Sequence, residues 1–193
     1  MPAPKILVIP GSLRAGSPNG RLAALAAKEL ALAEAEVTRI SLEDYSLPLF
    51  DADLAADGAP PRNAVQLKQM LEAHRGVFIS SPEYSASVTP LVKNTIDWIA
   101  RVGERGEPTY SAFKGRVFAI GAASSGTEGG MRSLMALRQI LELGCGALVI
   151  PEQVAVPRAA EAFDEMDNLK DENLAAALKA LARRLVDMAG AMG

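Results

Sequence analysis

Three short segments hold most of the side chains able to fix a ligand: GSLRAGSPNG (11–20), SPEYSASVTP (81–90) and ASSGTEGGMRS (123–133). The first offers Ser12, Arg14, Ser17 and Asn19, with Pro18 placed for the first position of a helix behind a Ser17 cap. Hydroxyls, an amide and a guanidinium suit a phosphate monoester, which presents three acceptor oxygens. A turn from strand to helix adds backbone N–H groups and the positive end of the helix dipole. Other phosphate loops are a poorer match. Leu13 stands two residues after Gly11, so the dinucleotide pattern G-x-G-x-x-G is missing. Gly11 and Gly16 have the spacing of a nucleoside-triphosphate loop, but Ser17-Pro18 replaces its Lys-Ser/Thr pair. The same residues also read as an ordinary capped helix start, and both readings stand.

In the second segment Pro82 removes one N–H and fixes the chain, leaving neighbouring amides free for the polar edge of a planar ligand. Tyr84 is available to lie against a flat ring and Ser85 to bond it; alternatively Tyr84 only covers the end of a sheet. In the third segment, Gly126, Gly129 and Gly130 permit close backbone approach to a ligand. The helix that follows would favour negative charge on a reduced ring. A plain connector is the other reading.

Other chemistries lack their residues. The chain has one cysteine and one histidine, so a disulfide within the chain and an all-cysteine or His-pair metal site are out of reach. Cys145, in GCGALVI, reads as a small buried filler. His74 reads as a helix-end residue, and no G-x-S-x-G motif supplies it with a nucleophile. No metal is expected.

The elements that must position these segments alternate in type. Apolar runs at 5–10 (KILVIP), 76–80 (GVFIS), 116–122 (RVFAIGA) and 147–156 (ALVIPEQVAV), and an alternating run at 37–42 (VTRISL), read as five strands. Helical spacing recurs at 17–35, 62–74, 88–101 and 130–143, and in a closing helix from Asp171. Residues 43–62, rich in Asp, Pro and Ala, read as a long surface loop. Continuous apolar strands between helices imply an α/β domain with a parallel sheet covered on both faces, one domain over 1–193. Ligands of such sheets sit beyond the carboxyl ends of the strands, and the three segments follow strands one, three and four.

With 193 residues, 49% of them hydrophobic and a formal charge of -3, the chain suits one globular core and no polyanion partner. No nucleic acid, no membrane and no leader are expected, and the expected location is cytoplasmic.

Together the segments resemble the NADPH-dependent FMN reductase family, which includes chromate- and quinone-reducing flavoproteins. The phosphate loop G-S-x-R-x-x-S-x-N is matched by Gly11, Ser12, Arg14, Ser17 and Asn19. The motif P-E-Y-N-x-S, then L-K-N-A-I-D-W, is met by Pro82, Glu83, Tyr84, Ser85 and Ser87, then Lys93, Asn94, Ile96, Asp97 and Trp98. The motif S-x-G-x-x-G-G-x-R is matched by Ser124, Gly126, Gly129, Gly130 and Arg132. The chain departs from the family at Ser85, where Asn is usual, at Thr89-Pro90, which replaces Pro-Gly, and at Val92, which replaces Leu.

The resemblance implies a flavodoxin-like, doubly wound five-stranded sheet of order 2-1-3-4-5. It implies FMN with its phosphate at Ser12–Asn19 and its ring on Pro82–Ser85, near Ser124–Gly130. It also implies a homodimer or homotetramer packed through 88–101 and 130–143, with Trp98 either in that interface or in the core. The function implied is an NAD(P)H-dependent FMN or quinone reductase. NADPH or NADH reduces the flavin, and a small acceptor (a quinone, free flavin, azo compound or chromate) takes its place by a ping-pong mechanism. The flavin carries this chemistry, so no catalytic acid or base is named. The alternative is a flavodoxin-like electron carrier without NAD(P)H-oxidising activity, although such carriers tend to be strongly acidic. A receiver-like protein would need acidic residues after the first strand, where IPGSLR has none.

Overall fold

The computed structural model describes residues 2–57, 59–103 and 106–192. Five parallel strands, β1 (Lys5–Pro10), β2 (Glu36–Arg39), β3 (Gly76–Ser80), β4 (Val117–Ala123) and β5 (Leu148–Val156), form one sheet of order β2-β1-β3-β4-β5. The helices are α1 (Pro18–Leu32), α2 (Ala52–Asp57), α3 (Arg62–Ala73), α4 (Pro90–Arg101), α5 (Met131–Gln139) and α6 (Glu172–Ala191). The expected flavodoxin-like order is therefore present.

Strand alternation sorts the core into two layers. Ile6, Val8, Phe78 and Ala119 pack under Leu22 and Leu30 of α1 and Leu181 and Leu185 of α6. Leu7, Ile9, Ile79 and Ile120 pack under Leu67 of α3, Val92 and Ile96 of α4 and Leu134 of α5. Because every strand is parallel, all five carboxyl ends meet at one edge, and the loops of the candidate site share it.

Several boundaries differ from expectation. The second strand, expected at 37–42, spans Glu36–Arg39. As an edge strand it pairs only with β1, and the chain turns after Ile40 into a 3-10 turn, Leu42–Tyr45. The stretch expected to be a loop at 43–62 holds that turn and α2; its residue 58 lies outside the described residues. The helix expected at 130–143 is α5 followed by a π turn, Ile140–Gly144. The helix expected from 88 begins at Pro90, because Thr89 caps it: its Oγ1 accepts the Val92 N–H at 3.3 Å and donates to the Gly11 carbonyl at 3.1 Å.

Asn94 and Trp98 explain how so long a connection is held. Asn94 accepts the Phe50 N–H at 2.7 Å and donates to the Pro48 carbonyl at 2.9 Å. The Trp98 indole N–H donates to the same carbonyl at 2.8 Å, and its ring meets Phe50 edge-on at 5.1 Å. Trp98 is buried within the protomer. It is a core aromatic and has no ring surface left for an interface.

Candidate active site

The loops after β1, β3 and β4 converge on a cleft of about 250 Å³, open to solvent. Ser12, Arg14, Ser17 and Asn19 line it with Pro82, Glu83, Tyr84 and Ser124. Ala159 and Ala160, from the β5–α6 loop, form a further wall. Eight of the ten residues expected at a cofactor site thus surround one space. Ser85 and Gly126 do not line it.

The loop after β1 leaves its donors available. Gly11 passes so close to its neighbours that a Cβ would lie 2.4 Å from Val92 Cγ2, and its N–H bonds the Ser80 carbonyl at 2.7 Å. The chain then turns through Gly16, at φ 64°, into α1. Ser17 occupies the cap position without spending its hydroxyl on the cap, and no acidic residue stands in the first turn. Arg14 is exposed, and among the described residues its guanidinium has no carboxylate partner. A helix start with unspent first-turn N–H groups, two nearby hydroxyls and a free guanidinium fits a phosphate.

Asn19 is different. Only 2% exposed, it accepts from Ser80 Oγ and from the Ala123 N–H, both at 2.9 Å, and donates to the Ala123 carbonyl at 2.7 Å. Its acceptor capacity is used and one N–H remains. The side chain expected to meet a phosphate also ties the start of α1 to the ends of β3 and β4.

Glu83 is also committed. Its side chain, 9% exposed, pairs with the Arg132 guanidinium at 2.8 Å. Its other oxygen accepts the N–H groups of Arg132 at 3.1 Å and Ser133 at 3.4 Å. Those are first-turn donors of α5, so the helix expected to favour negative charge on a ring already has a carboxylate at its start. Beneath it, Ser133 Oγ donates to the Pro82 carbonyl at 3.0 Å and lies 3.2 Å from Ser81 Oγ, in a fully buried hydroxyl cluster.

Tyr84 is 55% exposed beside the opening. It pairs with Ser87 through two 3.0 Å backbone bonds, and the residues between them, Ser85 and Ala86, have φ of 49° and 61°. Both central positions thus lie in the left-handed region, as in a type I′ turn. The family's Asn at position 85 suits that backbone, so the departure at Ser85 bears on turn conformation.

The glycines of the third loop divide. A Cβ on Gly129, at φ 63°, would lie 2.8 Å from the Ala155 carbonyl carbon, and one on Gly130, at φ 90°, 2.7 Å from Ala122 Cβ. Both are required by packing. Gly126 faces open space, with only Ser124 Oγ within 4 Å.

The β5–α6 loop gave no sequence signal as a wall. It is fastened by Arg21 of α1, which pairs with Asp167 at 2.5 Å, donates to the Asp164 carbonyl at 3.1 Å and lies 4.6 Å from the Phe163 ring centre. The strand order offered the only clue, because β5 lies beside β4 and its carboxyl end extends the same edge. His74 and Cys145 lie away from the cleft. His74 Nδ1 donates to the Met70 carbonyl at 2.6 Å. Cys145 is buried, and burial pushes its thiol up to about 11. Neither lines the cleft, and no group of three or more metal-ligating side chains occurs among the described residues.

Residues 4–161 match the model of a family described as NADPH-dependent FMN reductase. Over 170 residues the chain is 35% identical to an NAD(P)H-dependent FMN reductase of Pseudomonas aeruginosa, covering 87% of this chain and 85% of that one. It is 36% identical over 138 residues to a quinone reductase of Escherichia coli, covering 71% and 69% of the two chains. Among solved structures, the flavoenzyme NAD(P)H:(acceptor) oxidoreductase FerB of Paracoccus denitrificans superposes with a TM-score of 0.80 at 28% identity, over 99% of this chain and all of that one. An archaeal flavodoxin, 12% identical with a TM-score of 0.57 over 97% of each chain, shares the fold.

Proposed function

The chain belongs to the NADPH-dependent FMN reductase family, and from that premise we propose that it is an FMN-dependent NAD(P)H oxidoreductase that reduces quinones by a ping-pong mechanism. The single observation that carries this reading is the open start of α1, where the Arg14 guanidinium has no carboxylate partner among the described residues and the Ser17 hydroxyl makes no cap bond, both lining the cleft. Ser12, Arg14 and Ser17 would hold the phosphate of FMN, and the backbone of Pro82–Tyr84 would support its ring, with Ser124 nearby on the cleft wall. Asn19 acts at one remove, by keeping the helix start in place.

When bound, FMN supplies the redox chemistry, taking a hydride from NAD(P)H and returning two electrons to the acceptor. The balance is NAD(P)H, one proton and a quinone giving NAD(P)⁺ and a quinol. The chain's part would be to orient donor and acceptor in the one cleft, with exposed Tyr84 at the opening shaping which acceptors enter. One shared opening means that the nicotinamide must leave before the quinone binds. Free flavin, azo compounds and chromate are further acceptors of the same cleft.

The same reading makes the working unit a homodimer or homotetramer in the cytoplasm. Met131, Met135 and Leu143 leave apolar side chains exposed along α5 and its π turn, as an interface there requires. Among the described residues no helix is long and apolar enough to cross a membrane.

The test is to purify the protein, record its visible spectrum and mix it anaerobically with NADPH and with NADH. A yellow protein bleached by either nucleotide, giving parallel double-reciprocal lines against a quinone, is the expected result. A colourless protein that takes up no added FMN would overturn the reading. A flavin left oxidised by both nucleotides would identify an electron carrier.

A further inference from the structure

We propose that Glu83 and Arg132 form a charge pair that sets the reduction potential of the flavin, with Glu83 neutralising the start of α5 and Arg132 opposing it. This inference rests on the reading above, in which the ring lies on Pro82–Tyr84.

Helix α1 begins at the cleft and α5 begins directly behind Glu83, which lines it, and the two starts are treated oppositely. That of α1 is left bare for a ligand anion. That of α5 receives the Glu83 carboxylate on the N–H groups of Arg132 and Ser133, and Arg132 closes onto the same carboxylate. A purely mechanical latch would not need this pair, because neutral bonds already hold the loop. Ser81 N–H bonds the Gly121 carbonyl at 2.9 Å, Ser133 Oγ donates to the Pro82 carbonyl, and Tyr84 pairs with Ser87. What the pair adds is charge.

A helix start carries about half a positive charge. With Arg132 and Glu83 the sum beside the ring is about +0.5. Hydride transfer brings one proton and two electrons, so it adds one negative charge to the ring. Positive charge at α5 therefore strengthens binding of reduced FMN relative to oxidised FMN, and negative charge weakens it. Glu83→Gln keeps an oxygen to accept the helix N–H groups but raises the local sum to about +1.5. Arg132→Met leaves the capped start with about -0.5. The double variant returns the sum to about +0.5.

The experiment titrates wild type and the three variants with oxidised FMN and, anaerobically, with dithionite-reduced FMN, followed by calorimetry. The quantity read is Kd for oxidised FMN divided by Kd for reduced FMN. It should rise about three- to tenfold in Glu83→Gln, fall by a similar factor in Arg132→Met, and lie within about twofold of wild type in the double variant. A tenfold change corresponds to about 30 mV for a two-electron couple. A structural role would weaken both oxidation states in both variants and leave the ratio unmoved, and that result overturns the proposal. So does movement of the ratio in the same direction in both single variants. The Arg132 side chain is 60% exposed, so Arg132→Met tests the sign even where Glu83→Gln fails to fold. Wild type that binds neither form of FMN would instead sink the underlying reading.

Discussion

The loops that open α1 and α5 are built from the same residue types and do opposite jobs. In the first, Gly16 turns through open space, Ser17 spends no hydroxyl on the cap, and among the described residues the Arg14 guanidinium has no carboxylate partner. In the third, Gly129 and Gly130 are wedged against β5 and β4, and the helix start is capped by Glu83 from another loop. Glycine and serine content therefore does not identify a ligand loop. What matters is whether the polar groups are already spent inside the protein. On that measure the start of α1 is open to an anion, as the proposed function requires, and the start of α5 already holds its carboxylate.

Substitution at the glycines should sharpen this contrast most. Gly129→Ala combines a strained φ with a backbone clash and should cost about 2–4 kcal/mol in urea unfolding. Gly126→Ala, a few residues away, should stay within about 0.5 kcal/mol. Equal effects would mean that the third loop is as unconstrained as the first.

Asn19 and Ser17, two residues apart, make the next test. Asn19→Ala orphans Ser80 Oγ and the Ala123 N–H and carbonyl in the interior, and should lower stability by about 2–3 kcal/mol. Ser17→Ala removes no cap bond and should change stability by less than about 0.5 kcal/mol while weakening FMN binding. A stable Asn19→Ala protein would show that the amide is not the tie between α1 and the sheet.

A smaller gain is expected at the tip of the second loop. Ser85→Asn places a residue tolerant of positive φ in the turn and should stabilise the protein by about 0.5–1 kcal/mol, read from the urea midpoint. A loss of stability would mean that the Ser85 hydroxyl holds the turn.

The smallest effect concerns Cys145, the counterpart to the reachable Arg14. Its folded thiol, pushed up to about 11 by burial, stays neutral where an unfolded thiol has begun to ionise. That contribution to stability is present below the ordinary thiol range and is lost as pH rises from about 9 toward 11. The alkaline slope should flatten in Cys145→Ala; an unchanged slope would assign it to other groups.

Much of the frame was legible because apolar runs carry their own punctuation. Lys5–Pro10 and Gly76–Ser80 end at glycine, serine or charge, where the expected strands end. The unreadable part was held by distant partners. Residues 47–50 have no periodicity of their own and are fixed by Asn94 and Trp98, more than forty positions away. The site shows the same limit. Residue types at the strand ends pointed to the cleft, yet nothing in GSLRAGSPNG marks Asn19 as bonded to two strands and the Arg14 guanidinium as without a carboxylate partner among the described residues. Their partners, or the lack of them, lie on other strands. Ala159 and Ala160 are chemically featureless, and only the position of β5 beside β4 brings them to the wall.

The central claim is that the start of α1 anchors a mononucleotide by its phosphate, and riboflavin, which is FMN without that phosphate, tests it most directly. Wild type should bind FMN at least about 100-fold more tightly than riboflavin, and Arg14→Ala should close that gap by about tenfold or more while leaving riboflavin binding unchanged. Equal affinity for the two ligands in wild type, or an equal loss for both in Arg14→Ala, would contradict the account.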